Sequence, residues 1–140
     1  MINQREAVIY ADGGSRGNPG PAAAGVVFTD ESGRVLKEYS HYLGEATNNQ
    51  AEYEAVIFAL QKAKQLKFKN IEIRVDSELI GRQLLGEWKI KDPDLQPLFI
   101  KAWNLRLDYE KVDIKIIRRE QNKEADKLVN RELDSKNKLF

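Results

Sequence analysis

The sequence predicts an α/β fold, with five strands and four helices in the order β-β-β-α-β-α-α-β-α. Three observations predict it. Apolar residues alternate with polar ones at Ile71–Val75 and Val112–Ile116, and Ala7–Ala11 is a compact β-rich run. A long Ala-rich apolar stretch, Ala51 to Leu66, has helical character and separates three strand candidates from a fourth. The chain has 140 residues, 41% hydrophobic and 32% charged. That is close to the size of one domain of about 150 residues, and a chain of this length buries about 68–70% of its unfolded surface. A single domain spanning residues 1–140 follows, with a tail over residues 135–140 expected to fray.

Composition excludes several chemistries. No cysteine is present, so disulfides and Cys-based zinc or iron–sulfur sites are ruled out, and a metal would be held mainly by oxygen. The first residues lack an apolar leader, and the longest apolar stretch, Ala22 to Phe28, falls far short of the roughly 20 residues that span a bilayer. A soluble, cytoplasmic monomer with no membrane partner is the expectation. Net charge is +1, too small to draw the whole chain onto a polyanion. Its distribution is uneven: residues 1–60 carry 4 Lys/Arg against 8 Asp/Glu, leaving 19 against 14 for residues 61–140. The C-terminal part could meet a polyanion, although charged, solvated helix faces are the preferred explanation of any single cluster.

Each element has a local justification. The first strand, Ala7–Ala11, is closed by Asp12 and a run of turn residues, Gly13 to Gly20. Gly25–Thr29 and Arg34–Tyr39 are β-rich and joined by the hairpin turn Asp30-Glu31-Ser32-Gly33. Thr47 and Gln50 have capping-box spacing ahead of the first helix. After the fourth strand Ser77 can cap a short helix ending near Gly86. Leu95, Leu98, Phe99, Ala102, Trp103 and Leu105 mark a third helix, with Pro97 tolerable only in its first turn. Asn122 opens a last helix through about residue 134.

Counting directions places the acids. With the first strand running upward, two hairpins send the third strand up as well, the first helix down, and the fourth strand up, parallel to the first. Asp12 and Asp76 then end upward strands, and Glu52, in the first turn of the first helix, starts at the same rim. The direction of the fifth strand is left open by counting; if it too runs upward, Asp126 joins them. Neighbouring strand ends lie about 4.8 Å apart, and carboxylates that close repel unless a cation neutralises them. An all-oxygen set suits Mg²⁺, with Mn²⁺ as a substitute. Each acid has a local role available too: Asp12 can start a turn, Asp76 can cap a helix, and Glu52 and Asp126 can complement a helix dipole. Four independent caps have no reason to share one end of a sheet.

Four segments carry a resemblance. Asp12 to Pro21 (DGGSRGNPGP), Thr47 to Glu54 (TNNQAEYE), Val75-Asp76-Ser77 and Asn122 to Asp126 (NKEAD) resemble, in order and context, the signature segments of type 1 ribonuclease H, in its archaeal and bacterial form without a basic handle. The resemblance covers nearly the whole chain. It implies a ribonuclease H-like fold: a five-stranded mixed sheet, strands one to three antiparallel and strands four and five parallel to strand one, flanked by helices. It also implies an endonuclease that cleaves the RNA strand of RNA/DNA hybrids, leaving 5′-phosphate and 3′-hydroxyl ends. Two Mg²⁺ ions about 3.5–4 Å apart would activate water and stabilise the leaving oxygen. By match to the motifs, Asp12 would bridge the metals, Glu52 and Asp76 would complete one site, and Asp126 would help hold the metal that activates water.

Recognition residues follow from the same match. Asn18, Asn48 and Asn49 align with residues that contact the minor groove, where short amides can sense 2′-hydroxyls, and Thr47 aligns with a position near a DNA phosphate. Gln50 is a further candidate, with helix capping as the competing role for Thr47 through Gln50. Trp88, Lys89 and Lys91 follow the second helix where related enzymes hold DNA; a solvated aromatic loop is the alternative. The loop before the last aspartate, Arg118 to Gln121, lacks the histidine many relatives carry, and the sole histidine is His41 in the third strand region. Arg119 stays protonated, so it could hold phosphate but not act as a base. Position 78 is Glu where several relatives have Gln, which leaves that base-edge contact unsupported. Double-stranded RNA is a second candidate substrate because it shares A-form geometry. A non-catalytic hybrid-binding module is the alternative function.

Overall fold

The computed structural model describes residues 6–137. Five strands, β1 (Glu6–Ser15), β2 (Gly20–Thr29), β3 (Val35–Ala46), β4 (Asn70–Val75) and β5 (Lys111–Ile116), form one sheet in the order β3-β2-β1-β4-β5. β1 is antiparallel to β2 and β2 to β3, whereas β4 is parallel to β1 and β5 to β4. The direction of the fifth strand, open from counting, is therefore upward. Four helices flank the sheet: α1 (Asn48–Gln65), α2 (Glu78–Leu84), α3 (Gln96–Arg106) and α4 (Lys123–Asn137).

Alternation along β2 explains why its apolar run is continuous. Ala24, Val26 and Phe28 join the main core with Tyr53, Val56, Ile57 and Leu60 of α1, while Ala23 and Val27 meet Ala125, Leu128, Val129 and Leu133 of α4 on the opposite face. A central strand covered on both sides has no reason to alternate with polar residues. Parallel pairing of β1 with β4 demands a crossover, and α1 supplies it, packing on β1 and on α3. Ile9 and Ile73, neighbours in the register, are both fully buried beneath it.

Local signals match the helix starts. Thr47 Oγ1 accepts from Gln50 N at 3.2 Å and Gln50 Oε1 accepts from Thr47 N at 2.8 Å, a complete capping box. Ser77 caps α2 through Ile80 N, and Pro97 falls in the first turn of α3. The apolar series of α3 is less buried than its spacing suggests: Trp103 stays 40% exposed, stacked on Phe99 and under the Arg106 guanidinium.

Three boundaries differ from the sequence expectation. β1 does not close at Asp12 but continues through Ser15, because Gly13, Gly14 and Ser15 pair with Ala24, Ala23 and Ala22. β2 and β3 extend accordingly to Gly20 and Ala46, which pair with each other. These segments are rich in Gly and Ala, and ladder partners distant in sequence, not propensity, hold them extended. The last helix runs to Asn137, so residues 135–137 are helical; 138–140 lie outside the described residues. Among the described residues no helix is long and apolar enough to cross a membrane.

Two glycines set how closely the helices approach the sheet. A Cβ on Gly13 would overlap the Ala51 carbonyl of α1, and one on Gly25 would lie 2.6 Å from Ala125 O and 2.8 Å from Leu128 Cβ of α4. Gly25→Ala is expected to lower stability by about 1–3 kcal/mol through overpacking, seen in urea unfolding as a lower midpoint with an unchanged slope. An unchanged midpoint would show that α4 can withdraw at no cost.

Candidate active site

The parallel register carries two acids to one level. Tyr10 of β1 stands beside Arg74 of β4, so continuing two residues brings Asp12 level with Asp76, just beyond the last residue of β4. The close approach at Gly13 and Ala51 holds α1 against β1, which brings Glu52 to the same place. Carboxylate oxygens of Asp12, Glu52 and Asp76 lie within 4.8 Å of one another. Asp126, in the first turn of α4, lines the same cleft from the opposite face of the sheet, along with Arg16, Asn48, Arg119 and Asn130. Glu52 stands beyond the first turn of α1, which has no acidic residue, so the helix dipole does not account for it.

Burial and repulsion act together on these acids. Asp12 is pushed up to about 8, first by burial and then by the charges of Asp76, Glu52 and Asp126. Glu52 rises to about 7, from burial and from Asp76, against the opposing effects of the Arg119 charge and a hydrogen bond from Ser77. Asp76 is oriented by Asn122, whose Nδ2 donates to Asp76 Oδ2 at 2.7 Å and to Ala11 O at 2.9 Å. Asn122 is 1% exposed, and its Oδ1 has no hydrogen-bond partner. The donor set is entirely oxygen, with no Cys in the chain and no His in the cleft. A hard divalent cation relieves the burial and repulsion that raise Asp12 and Glu52, so the residues fit Mg²⁺ or Mn²⁺.

The remaining sequence candidates divide between two places. Asn18 Oδ1 accepts from Asn48 N at 2.9 Å, and Asn48 Oδ1 accepts from Ser15 N at 3.3 Å, tying the β1–β2 loop to the start of α1 beside the acids. Arg119 sits on a short 3₁₀ turn, Arg119–Gln121, at the mouth of the cleft. Trp88, Lys89 and Lys91 lie elsewhere, in a groove between α2 and α3 that reaches Asn49. Trp88 is 45% exposed there. Thr47 and Gln50 spend their capping atoms on each other. His41 stacks on Phe58 and lines neither place. The sequence marks Asn122 only as a helix opener and gives no signal for Arg16, because Asn122 meets Asp76 across 46 residues and Arg16 meets Asn130 across 114.

Known proteins resemble this chain in sequence and fold. A family model described as reverse transcriptase-like matches residues 10–132. Ribonuclease HI of Halobacterium salinarum is 45% identical over 125 residues, 89% of this chain and 63% of that protein. A bifunctional protein of Mycobacterium tuberculosis is 42% identical over 91% of this chain, which spans only 35% of its length. The crystal structure of the Halobacterium RNase H1 superposes with a TM-score of 0.91 at 43% identity, covering 93% of this chain and 98% of that one. LC11-RNase H1, solved in complex with an RNA/DNA hybrid, superposes with a TM-score of 0.88 at 46% identity, covering 92% and 97%. Similar in sequence to a ribonuclease HI and in fold to RNase H1 structures, the chain belongs to the ribonuclease H family.

Proposed function

We propose that this chain hydrolyses the RNA strand of RNA/DNA hybrids, using two divalent ions and leaving 5′-phosphate and 3′-hydroxyl ends. The observation that carries this reading is the cluster of Asp12 within β1, Asp76 just after β4 and Glu52 on α1, with Asp126 lining the same cleft; the hybrid-bound LC11 relative supports the substrate. Asp12, Glu52, Asp76 and Asp126 would hold the metal. When bound, Mg²⁺ supplies a lowered water pKa and charge stabilisation at the leaving oxygen. Asn122 and Ser77 keep Asp76 and Glu52 aimed into the cleft.

Recognition divides along the surface. Asn18, Asn48 and Asn49 present short amides beside the acids, suited to a minor groove lined with 2′-hydroxyls. Lys89 and Lys91, with the exposed Trp88 indole, offer cations and a flat apolar surface to the DNA strand some way from the chemistry. Thr47, at the cap of α1, lies next to the groove-facing amides. Arg119 brings a permanent cation to the cleft, able to hold a phosphate oxygen but not to transfer a proton.

The direct test incubates the chain with labelled RNA/DNA hybrid, duplex RNA and duplex DNA, each with Mg²⁺, Mn²⁺ or EDTA. Hybrid is cut in metal and spared in EDTA; binding without cleavage would instead identify a hybrid-binding module, and cleavage of duplex RNA a broader A-form nuclease. Asp12→Asn lowers kcat by about a thousandfold or more in Mg²⁺; near-normal turnover of this variant would end the metal reading. Arg119→Ala lowers kcat about tenfold or more yet does not weaken Mn²⁺ binding, since the Arg119 charge that it removes repels a second cation. Parallel loss of Mn²⁺ affinity would make Arg119 part of the scaffold.

Stability carries the same signature with a definite sign. In the unfolded chain Asp12 and Glu52 lose their protons near 3.8 and 4.5, but in the fold they keep them to about 8 and 7. Between those limits the folded chain binds more protons than the unfolded one, so these two groups make stability fall as pH rises. A divalent cation binding the ionised cluster restores it. Melting in EDTA and in Mn²⁺ should therefore show a larger metal-induced rise in Tm at about pH 8.5 than at about pH 5, and Asp12→Asn should erase most of that difference. Equal metal effects at both pH values would detach the cluster from cation binding.

A further inference from the structure

We infer, on the reading of Asp126 as a cation ligand given above, that Asn130 and Arg16 are positioning residues for Asp126, latching the glycine-rich end of β1 to the helix that carries this carboxylate. Asp76 is oriented by Asn122 and Glu52 by Ser77. For Asp126 the donor is Asn130, whose Nδ2 lies 3.1 Å from Asp126 O and 3.3 Å from Asp126 Oδ2. The other end of that amide faces Arg16: Nη2 of Arg16 donates to Asn130 Oδ1 at 3.3 Å and to Asn130 O at 3.4 Å. Arg16 is itself held by Asp134 Oδ1 at 2.7 Å.

The chemistry of the three groups makes the order directional. A carboxamide can present either its oxygen or its NH₂ to a neighbour, and the two orientations differ by a simple flip. Arg16 has donors only, so it selects the orientation with Oδ1 toward itself. That selection turns Nδ2 toward Asp126. Positions 126, 130 and 134 recur every four residues, which puts all three on one stripe of α4 toward the end of β1. Asp134 thus anchors Arg16, Arg16 orients Asn130, and Asn130 orients Asp126. Arg16 lies on the same segment as Asn18, so the latch also joins the recognition loop to the metal-facing helix. The contacts are exposed and several are long, so each is weak alone, and the effect expected is several-fold.

The test measures Mn²⁺ binding by calorimetry in the full chain without substrate. Asn130→Ala and Asn130→Leu both remove the donor, the second while keeping side-chain bulk, and each should weaken Mn²⁺ binding about three- to tenfold with an unchanged melting temperature in EDTA. Arg16→Ala should weaken it in the same direction, and the Arg16→Ala/Asn130→Ala double variant should be no weaker than Asn130→Ala, because the two act in series. In an Asp126→Asn background, Asn130→Ala should have no further effect. Wild-type Mn²⁺ affinity in both Asn130 variants, additive losses in the double variant, or an effect that persists with Asp126→Asn would each overturn the latch. If Asp126→Asn alone leaves Mn²⁺ binding intact, the reading of Asp126 as a ligand fails and the latch falls with it; if Asp126→Asn weakens binding and the Asn130 variants do not, only the latch fails.

Discussion

Asp12, Glu52 and Asp76 bring carboxylate oxygens within 4.8 Å of one another in a largely buried cleft, an arrangement that disfavours folding whenever all three are ionised. Burial and mutual repulsion hold Asp12 near 8 and Glu52 near 7, so in the absence of a counter-charge the cluster keeps protons that free carboxylates would release. The surrounding elements hold these acids together despite that repulsion. The parallel β1–β4 pair supplies the level at which Asp12 and Asp76 meet, the crossover helix α1 supplies Glu52, and the opposite-face helix α4 brings Asp126. A fold that accepts such a cost at one point must recover it in the core, and the continuous burial of β2 between α1 and α4 is where much of the apolar surface is removed from water.

Rigidity is as necessary as stability, because a misplaced carboxylate neither repels nor coordinates in the right geometry. Close packing provides it through residues with no chemistry of their own. Gly13 lets the α1 backbone touch β1, and Gly25 does the same for α4 against β2. Asn122 bonds Ala11 within β1 to the acid that follows β4, from a position 1% exposed. Around this rigid centre the supporting bonds become more exposed, from Ser77 at Glu52 to Asn130 and Arg16 at Asp126.

The surface beyond the acids is built on a different scale. Short amides at the start of α1 and in the β1–β2 loop lie beside the cleft, while the groove that holds Trp88, Lys89 and Lys91 lies apart from it; Asn48 lines the cleft and its neighbour Asn49 the groove. A long polyanionic duplex can touch both, whereas a small substrate would need only one. The duplex substrate proposed above accounts for two such separate surfaces, and the excess positive charge of the chain lies in its second half.

Much of this was legible in the chain itself. Element order, hairpin direction and the spacing of Asp12, Glu52 and Asp76 follow from alternation, turn chemistry and caps, all of which act within about ten residues; Thr47 and Gln50 form the capping box that their spacing announces. The extension of β1 through Gly13-Gly14-Ser15, the partial burial of Trp103, and the bonds of Asn122 and Arg16 were not legible, because ladder pairing, packing and side-chain orientation decide them, and Asn122 and Arg16 reach partners 46 and 114 residues away. By itself the sequence determined which acids exist and on which elements they ride, since local periodicity sets strand and helix. Only the tertiary structure decided that the fifth strand runs parallel, how closely the helices approach the sheet, and which amides hold the acids in place, since those outcomes come from non-local pairing and close packing that no local pattern encodes.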